Sequence, residues 1–194
     1  MNDILLWYTT RAAGAVSLVL LSIVTAFGLL TAARAGGGRW PRFMTAALHR
    51  DLALVALVFL LLHVFTAAVD PFTHLGLASV AVPFSSYYRT FWLGLGTIAF
   101  ELLLAVIATS LLRGVVSVRV WRLVHWTSYA LWPLAVVHGI GTGTDRFSLV
   151  MLATTATCVG LVAGAALWRL LTPPHPLTAE KRAGAALAST GHLR

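Results

Sequence analysis

Two histidines close the ends of an almost unbroken apolar run, HRDLALVALVFLLLH, at residues 49 to 63. A second run, HWTSYALWPLAVVH, also has a histidine at each end, at residues 125 and 138. An imidazole in an apolar segment needs a partner, because burying an unpaired polar group costs roughly 2–7 kcal/mol. Neutral imidazole is also the commonest metal ligand among protein side chains. Four histidines with matched spacing therefore indicate metal ligation.

The spacing indicates which kind of metal centre. His49 and His63 are 14 residues apart and His125 and His138 are 13 apart, which corresponds to roughly 21 and 20 Å along an α-helix. If the two helices run in the same direction, His49 shares a depth with His125, and His63 shares one with His138. Two facing pairs, one above the other, suit two haems stacked across a membrane, with one imidazole from each helix on each iron.

Helical phase places His49 and His63 on one helix face, but it does not do so for His125 and His138. Fourteen residues leave an angular offset of about 40°, so His49 and His63 share a helix face, whereas thirteen leave about 140°. The second helix therefore needs a distortion, which Pro133 can supply. A zinc or copper site fits poorly, since the pairs lie about 20 Å apart and lack carboxylate or thiolate ligands. The remaining alternative is that each histidine only hydrogen-bonds a neighbouring helix.

The composition places these histidines in a membrane. The 194-residue chain is 59% hydrophobic and 10% charged, whereas a soluble domain carries about 25% charged residues. Its net charge of +8 does not indicate nucleic-acid binding, because the arginines fall in short loops between apolar segments. A single cysteine, Cys158, excludes a disulfide framework and a cysteine metal site. We predict an all-α fold, a polytopic helix bundle in the lipid bilayer of the cell membrane.

Five segments are apolar over the roughly 20 residues that a bilayer crossing requires. Of the basic residues, eleven fall on one side of the predicted spans, and only Arg11, Arg89 and Arg146 fall on the other. The positive-inside rule then places the N-terminus outside and the C-terminus in the cytoplasm. We expect residues 1–171 to form one transmembrane haem-binding domain and residues 172–194 a disordered cytoplasmic tail. The predicted spans are residues 11–33, 48–69, 91–112, 121–141 and 148–171.

Several arginines lie next to the predicted ligands. Arg50 directly follows one inner histidine, and Arg119 and Arg122 precede the other. Arginine binds carboxylates such as haem propionates through paired charge-assisted hydrogen bonds, so Arg50 and Arg122 are predicted cofactor-binding residues. The alternative is that they act only as topology signals. Arg89 and Arg146 are the corresponding candidates on the outer side.

Two further features lie within the predicted spans. Glu101 falls midway along the third span, where an ionised carboxylate is costly. It can pair with an arginine, shuttle a proton, or stay protonated and hydrogen-bond a helix neighbour, and the last is the expectation. Gly160 and Gly164 form a G-x-x-x-G pattern in the last span, which permits close helix contact.

Two stretches of the chain resemble the ferric reductase-like transmembrane domain, which ferric reductases and NADPH oxidases share. They are RFMTAALHRDLALVALVFLLLH and IATSLLRGVVSVRVWRLVHWTSYALWPLAVVHG, and the resemblance extends over all five predicted spans. In that family, paired histidines at this spacing on two helices bind two b-type haems. The resemblance implies an inner haem on His49 and His125 and an outer haem on His63 and His138. It also implies that electrons pass from the cytoplasmic side to an acceptor outside.

The chain departs from the family pattern in two places. Members that act alone carry a C-terminal flavin and nicotinamide domain, whereas this chain stops at Arg194, so a flavin is expected only on a partner protein. NADPH oxidases have a further histidine one turn beyond the outer ligand, where this chain has Ala67. The second departure argues against a dedicated superoxide-producing enzyme.

Three functions are compatible with these patterns. The leading hypothesis is the membrane subunit of an oxidoreductase, which takes electrons from a cytoplasmic flavoprotein reductase through two b-type haems. Its acceptor would be a metal complex, oxygen or a redox protein on the outer side. A second hypothesis keeps the haems but takes electrons from membrane quinol to serve an outer-side reductase. A third is a non-redox membrane scaffold or small transporter whose histidines are structural.

Overall fold

The chain folds into a bundle of helices. The computed structural model describes residues 2–32, 42–71, 73, 75–76 and 78–172, and every regular element within them is helical. Four of these helices, α1, α2, α4 and α7, are long and apolar enough to cross a membrane. The predicted all-α, multi-pass membrane fold is therefore confirmed. The helices are α1 (Asn2–Ala32), α2 (Arg42–Val69), α3 (Ala78–Ala81), α4 (Thr90–Leu111), α5 (Val118–Trp126), α6 (Ser128–Thr142) and α7 (Leu149–Leu171).

The observed helices follow the predicted spans with two differences. Helices α4 and α7 agree with their predicted spans to within one residue, while α1 and α2 begin nine and six residues earlier. The longer α1 includes NDILLWYTT, which continues the helix beyond its apolar centre. The fourth predicted span, 121–141, consists of two helices, α5 and α6, that meet at Thr127.

Two hydroxyl side chains bond backbone carbonyls at the interruption at Thr127. Thr127 Oγ1 donates to the Val124 carbonyl at 2.7 Å and Ser128 Oγ donates to the His125 carbonyl at 2.7 Å. The Thr127 backbone N–H also bonds Val124 O at 3.0 Å, which is the tighter i→i−3 pattern. Serine and threonine that bond carbonyls one turn back bend helices. The distortion expected of this span thus falls at Thr127, six residues before Pro133, which lies inside α6.

Helix α1 is the central element of the bundle. It packs against α2, α6 and α7, while α4 packs against α6, α5 and α3. Large apolar side chains elsewhere on the helices are exposed, as expected of surfaces that face lipid. Two buried clusters hold the packing together, one of Leu21, Ala56, Ala99, Leu103 and Leu131 and the other of Ala26, Leu29, Val162 and Ala165.

Two side-chain hydrogen bonds set the register of α1 against its neighbours. Thr10 Oγ1 donates to Thr66 Oγ1 of α2 at 2.8 Å. The indole N–H of Trp132 in α6 donates to Ser22 Oγ at 2.9 Å, and Ser22 is fully buried. Interhelical bonds of this kind hold membrane helices in one register, since apolar contacts alone specify it weakly.

Several predicted features fall differently in the structure. Glu101 lies exposed on α4 and makes no hydrogen bond or ion pair with any described residue, although a bond to a helix neighbour was expected. A Cβ added at Gly160 or Gly164 would meet no described atom within 4 Å, so these two glycines make no close contact with another described helix. Apart from Thr172, the predicted tail 172–194 lies outside the described residues, as does the 33–41 segment.

Candidate functional site

The structure brings His63 of α2 and His138 of α6 together. Their ring centroids lie 6.2 Å apart and their planes are inclined at 81°. The Nδ1 atoms point away from each other, since His63 Nδ1 lies 2.8 Å from the Thr10 carbonyl and His138 Nδ1 lies 2.9 Å from the Trp92 carbonyl. A carbonyl oxygen can only accept, so Nδ1 carries the proton in both rings. That tautomer leaves the lone pair on Nε2, the arrangement found for metal-binding histidine.

His49 of α2 and His125 of α5 form a second facing pair. Their ring centroids also lie 6.2 Å apart, with planes inclined at 59°. Both Nδ1 atoms are buried and make no hydrogen bond of standard geometry with the described residues. The His125 ring is held instead by stacking on Trp121, with centroids 5.0 Å apart and an angle of 22° between the planes.

Three glycines lie against these imidazoles. A Cβ added at Gly14 of α1 would lie 2.9 Å from His63 Nδ1, and one at Gly96 of α4 would lie 2.5 Å from His138 Nδ1. One at Gly28 of α1 would lie 3.5 Å from His49 Cε1. At the first two positions any larger residue would displace the ring, so the absence of a side chain is required.

The ring separation within each pair fits a metal held between two imidazoles. With metal–nitrogen distances of about 2.0–2.1 Å and Nε2 about 1.1 Å from the ring centroid, a linear arrangement separates the centroids by roughly 6.2–6.4 Å. The observed value is 6.2 Å for both pairs. No cluster of three or more histidine, cysteine, aspartate or glutamate side chains occurs in the described residues. Two imidazoles without other protein ligands suit a haem iron, whose remaining four positions the porphyrin occupies.

A cavity surrounds the His63–His138 pair. Its walls come from α1, α2, α4 and α6, and its polar lining includes Arg11, Asp70 and Tyr88. Arg11 also forms an ion pair with Asp145 in the connection between α6 and α7. A guanidinium at the rim of this cavity is suited to bind a carboxylate such as a propionate.

The arginines predicted at the inner end lie on the exposed surface of their helices. Arg50 is exposed and pairs with Asp51 at 3.0 Å. Arg122 and Arg119 are exposed on α5. Their predicted role in binding propionates stays a prediction. At the other end, Arg89 and Arg146 line a separate cavity, described below.

Sequence reasoning missed the glycines and Arg11 as parts of the site. Gly14 and Gly28 are 14 residues apart, the same spacing as the two histidines of α2, and this match is a usable sequence signal for the neighbouring helix. No such signal marks Gly96, Thr10 or Trp92. The last two contribute only backbone carbonyls, which any residue type supplies.

The helices define a multi-pass membrane protein with two facing histidine pairs between them. The family model of the ferric reductase like transmembrane component matches residues 13–136, which is more than half of the chain. The chain therefore belongs to this family, generally a haem-binding transmembrane domain, and has a membrane redox-related role. No curated protein and no solved structure matches it.

Proposed function

We propose that this chain is a two-haem electron conduit across a membrane. His49 and His125 would ligate one b-type haem, and His63 and His138 the other. The observation that carries the proposal is the 6.2 Å separation of the ring centroids in both pairs. It agrees with the roughly 6.2–6.4 Å expected of two imidazoles bound linearly to one metal.

The chain's own residues would position and tune the two haems. When bound, each haem supplies a site for one-electron reduction and oxidation. The Thr10 and Trp92 carbonyls hold the outer imidazoles in the tautomer that offers Nε2. Trp121 orients His125 by stacking. The apolar surroundings exclude water, which lowers the local dielectric around both pairs.

The proposed direction of transfer follows from the distribution of basic residues. By sequence, eleven of the fourteen fall on the predicted side of the spans that includes His49 and His125, which the positive-inside rule assigns to the cytoplasmic face. A cytoplasmic flavoprotein, or quinol in the membrane, would then reduce the inner haem. The acceptor would react at the end that carries His63 and His138.

Haem content and spectra test the proposal directly. The purified protein is expected to hold two b-type haems per chain, both six-coordinate and low-spin. Extraction should release them, because Cys158 is the single cysteine and no C-x-x-C-H attachment motif exists. His63→Ala should leave one low-spin haem, whereas His175→Ala, a histidine outside both pairs, should leave two.

Double substitutions test the pairing. His63→Ala with His138→Ala should be no worse than either single change, because both act on one cofactor and shared-site effects do not add. His63→Ala with His125→Ala should disturb both haems. An iron-free protein from haem-replete cells would overturn the proposal and favour a structural role for the histidines. A coupled His63–His125 pair would overturn the assignment of ligands to each haem.

A further inference from the structure

A second cavity lies at the same end of the bundle as His63 and His138. It has a volume of about 550 Å³ and opens to the surface. Its walls come from the start of α4 and the end of α6, together with the connection that follows α6. It is lined by Arg89, Thr90, Phe91, Trp92, Ile140, Gly141 and Arg146.

The two arginines give this cavity a net positive charge. Arg89 and Arg146 are both half-buried. The carboxylate ion pairs within the described residues belong to other arginines, Arg11 with Asp145 and Arg50 with Asp51. No carboxylate lines the cavity. Two guanidinium groups at one opening make the electrostatic potential there positive, which favours binding of an anion.

The local backbone holds Arg89 in place at the cavity wall. Arg89 has a left-handed conformation, φ 44° and ψ 48°, at the start of α4, which is uncommon for a residue with a side chain. Its Nη1 donates to the Gly141 carbonyl at 2.5 Å, which ties α4 to α6. A strained conformation persists where the surrounding structure determines it, and such positions cluster at ligand-binding sites. Arg89 is thus positioned before any ligand arrives.

The cavity adjoins the outer histidine pair through Trp92. The backbone carbonyl of Trp92 accepts the His138 Nδ1–H at 2.9 Å, and its indole packs on Gly141. Ile140 and Gly141 follow His138 by two and three residues. A molecule bound between the arginines would therefore lie beside the residue that positions an outer ligand.

The cavity is also distinct from the one that holds His63 and His138. The two cavities share no lining residue, and the histidine cavity has its own arginine, Arg11. A propionate of the outer haem would share the Arg11 guanidinium with Asp145, whereas Arg89 and Arg146 line the other opening. The second pair of arginines is left facing the surrounding solution.

We propose that this cavity binds a small carboxylate-bearing anion from the outer solution and is the docking site of an anionic electron acceptor. The acceptor role rests on the proposed function, whereas anion binding as such does not. Ferricyanide and hexaammineruthenium(III) probe the acceptor role, since each accepts one electron and the two complexes differ in the sign of their charge. Tricarballylate, a redox-inert tricarboxylate, probes binding alone.

The central experiment compares wild type with Arg146→Gln in haem-loaded protein, reduced and then reoxidised by each acceptor. Arg146 donates no hydrogen bond to the described residues, so its loss should spare the fold. Removing a charge-assisted contact is expected to raise the half-saturating ferricyanide concentration roughly tenfold. The hexaammineruthenium(III) reaction should be unchanged or faster. Arg169→Gln serves as the control, since it removes one charge at the opposite end of the bundle, together with a hydrogen bond to Tyr129 Oη at 2.7 Å.

Calorimetric titration with tricarballylate provides the second measurement. Binding should be saturable, should weaken with salt, and should weaken again in Arg146→Gln, with Arg146→Lys in between. Equal effects of Arg146→Gln and Arg169→Gln, or equal effects on both acceptors, would show a general charge effect and overturn the site. Loss of one haem in Arg146→Gln would show that the arginine binds a propionate, which also overturns it. If wild type held no haem, the proposed function would fail while the titration still decided the anion site.

Discussion

The four membrane histidines differ in what holds their rings. Both outer imidazoles donate Nδ1–H to a backbone carbonyl, whereas neither inner Nδ1 atom makes a hydrogen bond of standard geometry with the described residues, the backbone of Val24 being the contact of the His49 ring. A donated Nδ1–H raises the basicity of the ligand at Nε2. A more basic ligand stabilises ferric over ferrous iron, so hydrogen bonding to the ligands is a lever on reduction potential.

We therefore expect the outer haem to have the lower reduction potential of the two. A potentiometric titration of the visible spectrum should resolve two components, and the lower one should disappear in His63→Ala. Disappearance of the higher component instead would show that another influence outweighs the hydrogen bonds.

The glycines beside the imidazoles allow a graded test. Gly96→Ala and Gly14→Ala would place a Cβ 2.5 Å and 2.9 Å from the Nδ1 atoms of the outer rings, whereas Gly28→Ala would make an ordinary contact at 3.5 Å with an inner ring. Alanine otherwise favours a helix over glycine by about 1 kcal/mol, so weakened helices cannot explain a loss. We expect the haem content of Gly96→Ala and Gly14→Ala to fall toward one per chain, whereas Gly28→Ala should keep two. Haem content is measured after extraction. Retention of two haems in Gly96→Ala would contradict the close packing of Gly96 against the His138 ring.

At the scale of the element, the meeting point of α5 and α6 matters most. In one straight helix, thirteen residues would turn His125 about 140° from His138. The structure nevertheless places each of these rings 6.2 Å from its partner on α2. The hydroxyl bonds at Thr127 and Ser128 distort the chain between the two histidines.

Thr127→Ala combined with Ser128→Ala should weaken the inner site selectively. Each hydroxyl bond contributes roughly 0.5–1.5 kcal/mol, and without them α5 and α6 would approach a continuous helix. The expected result is a loss or spectral change of the inner haem while the outer haem stays low-spin. The matched control is Thr154→Ala, whose hydroxyl bonds the Val150 carbonyl at 2.8 Å in α7 and should keep both haems. Equal behaviour of the two variants would remove the role assigned to Thr127.

Glu101 is the second element-scale test, since it lies exposed midway along α4. A charged side chain at the centre of a membrane helix costs roughly 2.5–3.5 kcal/mol on insertion scales. Glu101→Gln is therefore expected to raise the inserted fraction of the α4 segment in a glycosylation-mapping assay of the full chain. A lower inserted or folded fraction would show that the carboxyl has a stabilising partner in the membrane.

At the scale of the whole molecule, the charges separate toward the two ends of the bundle. One end carries Arg11, Arg89 and Arg146, of which Arg11 is neutralised by Asp145. By sequence, the remaining eleven basic residues fall in the segments predicted to lie on the other side of the spans. This asymmetry is the basis for the proposed direction of electron transfer.

Reporter fusions test the orientation. A reporter active only in the cytoplasm should be active after Arg194 and near Gly37, and inactive near Ser79, because basic residues concentrate on the side of the first two positions. The reverse pattern would make His63 and His138 the inner pair and reverse the proposed pathway.

The sequence alone determined the class of the molecule and the spacing of the two histidines along α2. Hydrophobic length decides whether a segment can cross a bilayer, and a helix rises by a constant 1.5 Å per residue. Counting residues between His49 and His63 is therefore enough to place them roughly 21 Å apart. The sequence also identified the four histidines as candidate ligands, because so few other polar groups occur in the apolar segments.

Only the tertiary structure decided what surrounds each histidine. Ring orientation depends on backbone carbonyls from other helices, such as Thr10 and Trp92, and residue type does not encode which carbonyl comes near. The division of the arginines between two cavities likewise depends on how α4 and α6 pack. The site of the distortion was missed because proline is the stronger breaker in isolation, whereas in the folded chain the hydroxyls of Thr127 and Ser128 compete for the carbonyls that the helix would use.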